Sequence, residues 1–332
     1  MPKVRQSNIE LLRVIIMYLV LLLHANFMVF GYPEGCSATS LLRIGAESVS
    51  IIAVNVFILI TGYFGTSFKL SKIANIVYQL LYTVIPITCL LLLLGVCKCE
   101  SIHDIAHEFS FWHYWFINAY IVLIFLSPIL NLAILQLNRA QFKTLLLTLF
   151  IVFSIIQGGC FVIIPSGVGL EGGYSALWFL YLYLIGRYLA KYSINLSLMH
   201  LIGLYCLGVL GTFFMMWRFR NYGYNNPFIL IQSVAFFLFF TKFTFENKFV
   251  NFIASSSLMV FLLHRHPVIR DYWASILFYL KRQYGDSLQF VLILCLFCII
   301  VFIVAVLYDQ LRKSSWKLIE PFIKQWDQKV SF

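Results

Sequence analysis

Leu12-Arg-Val-Ile-Ile-Met-Tyr-Leu-Val-Leu-Leu-Leu-His24-Ala-Asn-Phe-Met-Val-Phe30 is an apolar run interrupted by one arginine and one histidine. A helix that crosses a bilayer needs about 20 mostly apolar residues, and this run has that length. It is apolar on nearly every face, unlike the striped helix of a soluble core. No small-x-small cleavage site follows before the next apolar run, so the segment reads as a permanent span rather than a removed leader.

Comparable runs recur at about 47–65, 73–96, 115–135, 144–165, 174–190, 199–217, 227–243, 249–265 and 288–308, with 249–265 the most polar. The composition agrees with them. The chain has 332 residues, 61% hydrophobic and 11% charged, with a mean hydropathy of +0.89. A soluble domain carries roughly 25% charged residues to cover its surface. Lipid is therefore the solvent, and lipid leaves only helices or closed barrels. Alternating ten-residue strands are absent, so the expectation is an all-α, polytopic transmembrane bundle of about ten helices. Connections are short and hold no Gly/Ser linker, which makes 1–332 one membrane domain. Residues 309–332, with Trp316, Lys317 and Trp326, read as a cytoplasmic amphipathic tail.

Net charge is +11, and nucleic acid binding is one cause of such a value. The distribution argues otherwise. With the amino terminus inside, fifteen Lys and Arg fall on inner segments, among them Lys69, Lys72, Arg187 and Lys191. Eight fall on outer segments, including Arg218 and Arg220. This excess follows the positive-inside bias and puts both termini in the cytoplasm. Five of the eight cysteines lie inside apolar runs, where a thiol packs as a small hydrophobe. No disulfide framework is implied, and Cys97-x-Cys99 alone is a poor metal signature.

Ionisable groups inside spans cost about 2.5–3.5 kcal/mol on insertion scales and are functional candidates for that reason. The first span holds Glu10, Arg13 and His24. Eleven residues separate Arg13 from His24, which is three turns plus about 20°, so both lie on one helix face about 16 Å apart. Glu10, three residues before Arg13, is in reach of it. A neutral imidazole accepts a hydroxyl proton near physiological pH, an effect worth about 10²–10⁴-fold in rate. Arginine holds phosphate or carboxylate through a two-pronged fork. The competing reading is an anchor arginine that reaches the interface and a histidine that bonds a neighbouring helix.

The run Ile9-Glu10-Leu-Leu-Arg13 with His24 resembles the first helix of the acyltransferase-3 family of bacterial membrane O-acyltransferases. Val54-Asn55-Val-Phe57-Ile-Leu-Ile-Thr61-Gly62-Tyr63-Phe64 is similar to that family's second helix, and Phe68-Lys69-Leu-Ser-Lys72 to its following basic motif. Further pieces follow in order and resemble the family's polysaccharide-modifying branch: Tyr114-Trp115-Phe116-x-x-Ala119-Tyr120, Leu126-Ser127-Pro128, Leu177-Trp178-Phe179-x-Tyr181-Leu-Tyr183-Leu-Ile-Gly186, and Phe261-Leu-Leu-His264-Arg-His266-Pro267-x-Ile-Arg270. Two departures stand out. His24 is followed by Ala25 where some members have a second histidine, and Lys69 and Lys72 stand where many have arginines.

The resemblance implies an O-acyltransferase, most simply an O-acetyltransferase, of the bacterial inner membrane. Acetyl-CoA from the cytoplasm is the implied donor, and a hydroxyl of a surface polysaccharide or lipid-linked glycan the implied acceptor. His24 is then general base or transient acyl carrier, and Arg13, Lys69 and Lys72 hold the donor. Glu10, Asn55, Tyr63, Trp115, His264 and Arg270 support or bind substrate. No metal and no nucleic acid enter this reading.

Other interpretations stay open on the residues alone. Asn55 also reads as interhelical glue, and His264 as a helix end marked by Pro267. His103-Asp104-x-x-His107-Glu108 has the spacing of a zinc pair but fits a solvated loop better. The stretch 266–287 reads as an interfacial helix. A glycan transporter also needs many helices and buried polar groups, yet Pro86 and Gly158-Gly159 have no counterpart in a matching half. A polysaccharide polymerase is kept alive by the outer arginines, Arg218, Arg220, Arg265, Arg270 and Arg282.

Overall fold

A computed structural model describes residues 5–96, 114–159 and 169–327, all of it helix and connecting turns. In chain order the helices are α1 Ser7–His24, α2 Phe27–Phe30, α3 Ala38–Ser50, α4 Ala53–Phe64, α5 Leu70–Leu93, α6 Trp115–Gln136 and α7 Arg139–Phe150, the last continuing as a π-helical turn Ile151–Ile156. They are followed by α8 Ala176–Lys191, α9 Leu198–Phe219, α10 Pro227–Thr241, α11 Lys248–Ala254, α12 Ser257–His264, α13 Pro267–Tyr284 and α14 Leu288–Asp327. The chain forms a polytopic helical bundle. The H-D-x-x-H-E cluster at 103–108 lies outside the described residues.

All ten apolar stretches are helical where described, but length separates them. Among the described residues, seven helical stretches, counting α1 with α2 and α3 with α4 as one each, are long and apolar enough to cross a membrane. An eighth span forms if Lys248–His264 and Pro267–Tyr284, bent by 84° at the Arg265-His266 break, count together. Pro267 sits at the first turn of α13, where its missing N–H costs no hydrogen bond, and this allows the chain to restart at a sharp angle. Residues 227–243 form the shorter helix Pro227–Thr241. The last helix passes Asp309 without a break and reaches Asp327, 40 residues in all. That is about 60 Å, twice a hydrocarbon core, so a large part of it must project beyond one.

Local signals fix the helix ends. Ser37 caps α3 through Ser40 N, Ser175 caps α8 through Trp178 N, and Asn138 with Gln141 forms a full capping box on α7. The fourth helix stops at Gly65, whose φ of +75° suits a residue without Cβ.

The chain divides into two compact units. The first comprises residues to Ser67 and Val122–Ala254, the second Phe68–Ile121 and Ser255 onward. In the first, α1 packs on α3, α4, α10 and α11, and α4 lies along α8. The α4–α8 approach is backbone to backbone. A Cβ on Gly186 would lie 2.6 Å from Leu59 O, and one on Gly62 would strike Tyr183 O. Thus the two family-like strings Val54–Phe64 and Leu177–Gly186 are partners across one close helix pair.

In the second unit α14 packs along α5, with α12 and α13 against it. Its charged mid-section is built in: Arg312 Nε donates to Asp309 Oδ1 at 2.5 Å, and Arg312 Nη1 to Asn75 Oδ1 at 3.1 Å. Lys313 Nζ donates to Ser255 and Ser256 and lies 3.1 Å from Asp309 Oδ2. Buried charges are tolerated when paired this way.

Candidate active site

The first helix is unbroken between Arg13 and His24, so the 11-residue spacing keeps both on one face. That face turns into the protein. Met17 and Val20, which lie between them on the same stripe, are 4% and 5% exposed. An open apolar groove of about 690 Å³ runs past Leu19 and Leu22 toward α3. Those two leucines fall on roughly the opposite side of α1 from the stripe.

At one end of the stripe, Arg13 Nη1 donates to Glu10 Oε1 at 3.1 Å and to Oε2 at 3.4 Å. The Glu10 side chain is 9% exposed and that of Arg13 35%, so a buried carboxylate anchors a guanidinium that reaches accessible space. Among the described residues Arg13 makes no other hydrogen bond, which leaves most of its donors for a ligand. The start of the helix is fastened firmly. Asn8 Nδ2 donates to Phe240 O at 3.0 Å, and Ser7 Oγ to Asn251 Oδ1 at 2.9 Å.

At the other end, the helix stops at His24 and the chain turns at Asn26, whose φ of −106° and ψ of −97° are not helical. Asn26 Nδ2 donates to Glu47 Oε2 at 2.8 Å, and Arg43 Nε donates to Asn26 Oδ1 at 3.0 Å. Arg43 Nη2 continues the chain of bonds to Gly31 O at 2.6 Å. Tyr32, in the following turn, donates to Met216 O at 2.7 Å and lies under the Arg220 guanidinium. Burial raises its phenol above the usual range, and the Arg220 charge opposes that. Sequence reasoning missed Glu47. It took the second span to begin at residue 47, whereas the helix begins at Ala38 and carries the carboxylate about two and a half turns inward.

Asn55 is fully buried. Its Nδ2 donates to Tyr224 O at 2.9 Å, and its Oδ1 accepts from Trp178 Nε1 at 2.9 Å. Both amide atoms are committed, so Asn55 ties α4 to α8 and to the turn before α10, and it does not bond His24. Tyr63 packs its ring on Phe237 and Phe64.

The remaining candidates belong to the second unit. Lys69 and Lys72 open α5, whose Ser71 is bonded to Asp327 through both N and Oγ. Trp115 packs edge-on to Phe116. His264 is 2% exposed, donates from Nδ1 to Val260 O at 2.6 Å, and stands between the rings of Phe261 and Trp273. Arg270 is half-buried and pairs with Asp271. One unit thus brings together Glu10, Arg13, His24, Asn55 and Tyr63. Among the described residues no three His, Cys, Asp or Glu side chains converge as metal ligands.

Long apolar helices packed into a bundle define a multi-pass membrane protein. The chain belongs to the acyltransferase-3 family: the family model described as an acyltransferase domain matches residues 6–309. It is an enzyme that transfers acyl groups other than aminoacyl groups. Neither the curated proteins nor the solved structures compared with it include a match.

Proposed function

We propose that this enzyme is an O-acyltransferase of the bacterial inner membrane, with both termini cytoplasmic. It moves an acyl group, acetyl in the simplest case, from acyl-CoA to a hydroxyl of a surface polysaccharide or lipid-linked glycan. Arg13, held by Glu10, takes an anionic part of the donor at the cytoplasmic end of α1. His24 accepts the proton of the acceptor hydroxyl, and the freed oxygen bonds the thioester carbonyl carbon. The carbon–sulfur bond then breaks, and the proton passes from His24 to the departing thiolate. A two-step variant, in which the imidazole carries the acyl group between donor and acceptor, uses the same residue. The resemblance assigns Lys69 and Lys72 to the donor as well.

The observation that carries this reading is the inward stripe of α1, with a carboxylate-anchored guanidinium at one end and an imidazole at the other. Ionisable groups inside a membrane span are costly, which makes them candidates for function. Mass analysis of surface glycan from cells with and without the protein tests the reading. A loss of acyl mass, 42 Da per site for acetyl at about unit resolution, supports it. Identical glycan masses would count against a glycan acceptor.

A further inference from the structure

Arg187 lies one turn beyond Tyr183 on the same face of α8. Tyr183 Oη donates to Asn131 Oδ1 at 2.7 Å and accepts from Thr66 N at 3.2 Å, while Asn131 Nδ2 donates to Thr66 O at 2.8 Å. These bonds hold the Gly65-Thr66 turn that ends α4. A Cβ on Gly65 would lie 2.9 Å from Arg187 Nη1, so the turn leaves its side-chain space to the guanidinium. Yet Arg187 makes no hydrogen bond or ion pair among the described residues, and its Nε is buried without a partner.

Other cations at this end of the unit have partners of their own. Lys191, one turn further along α8, donates to Ile134 O and Leu137 O, and Arg13 has Glu10. The guanidinium also shares its end of the unit with Arg13. Tyr63, next to Gly62, packs on Phe237, and one turn along that helix Phe240 O accepts from Asn8 at the start of α1. A fork of five donors, part-buried beside the Gly65 turn and without an acceptor, matches a phosphate oxygen pair.

We propose that Arg187 receives a phosphate group of the acyl donor, as a second anion-binding residue in the unit that holds Arg13; this rests on the donor reading above. A lipid headgroup offers the same chemistry, and the test separates the two. Full-length wild type, Arg187→Gln and Gly65→Ala are placed in phosphatidylcholine nanodiscs and titrated with acetyl-CoA and with S-acetylpantetheine, which has no phosphate. Arg187→Gln is expected to weaken acetyl-CoA binding tenfold or more and leave S-acetylpantetheine unchanged. Gly65→Ala keeps the charge but crowds Nη1, and is expected to weaken acetyl-CoA severalfold.

Equal acetyl-CoA affinity in wild type and Arg187→Gln overturns the assignment, as does an equal loss for both ligands. It is likewise overturned if Arg187→Gln binds acetyl-CoA normally and only copurifies with less phosphatidylglycerol, which assigns the cation to lipid. Failure of wild type to bind acetyl-CoA at all removes the donor reading itself, and with it this inference.

Discussion

Arg13 Nη1 bridges both carboxylate oxygens of Glu10, at 3.1 and 3.4 Å, one helical turn apart on α1. The guanidinium is aimed by a group that is itself buried, so its position does not depend on a flexible partner. Arg13→Gln is expected to raise the KM for acyl-CoA at least tenfold. Glu10→Gln, which removes the anchor but not the cation, should give a smaller rise in KM. Steady-state kinetics with purified protein checks both, and an unchanged KM in Arg13→Gln removes the residue from donor binding.

Glu47 holds the turn that follows His24 through Asn26. Glu47→Ala leaves the Asn26 amide without one acceptor, at a cost of about 1–3 kcal/mol if that donor stays buried. The expected outcome is a lower apparent melting temperature together with a fall in kcat. Glu47→Gln, which retains an acceptor oxygen, should restore most of the melting temperature. A melting temperature unchanged in Glu47→Ala would contradict a structural hold at that turn.

Gly186 and Gly62 let the backbones of α4 and α8 meet. Gly186→Val is expected to force the pair apart and yield protein that aggregates on detergent extraction, since overpacking costs about 1–3 kcal/mol or more. Gly203→Val on α9, where a Cβ meets nothing within 4 Å, is the matched control and should extract normally. Size-exclusion profiles read the difference.

Asn55→Leu is expected to remove the acceptor of the buried Trp178 indole N–H and one hydrogen bond to the Tyr224 carbonyl. A buried donor left without its acceptor carries a penalty of about 1–3 kcal/mol. Thermal unfolding in detergent should show a loss of stability before any change in donor KM. The reverse order would give Asn55 a direct substrate contact.

The bundle and the α1 stripe are legible from sequence for different reasons. Apolar runs announce themselves by composition, and helical periodicity puts residues 13 and 24 on one face before any neighbour is known. Glu47 is not legible that way, because a carboxylate at the edge of an apolar run looks like a terminus until Ser37 is seen to start the helix. Asp309 and Arg312 suffer the same ambiguity: they read as the end of a span, but the helix continues and buries them against Asn75. The roles of Gly62 and Gly186 as a packing pair, and the unpartnered state of Arg187, depend on contacts between distant segments that no local pattern encodes.

The most direct test is transfer of labelled acetyl from acetyl-CoA to a surface glycan by purified enzyme, comparing wild type with His24→Ala and following donor binding in parallel. Wild type should transfer label, whereas His24→Ala should bind acetyl-CoA normally and transfer it about 10²–10⁴-fold more slowly. Transfer at the wild-type rate without the imidazole would contradict the account.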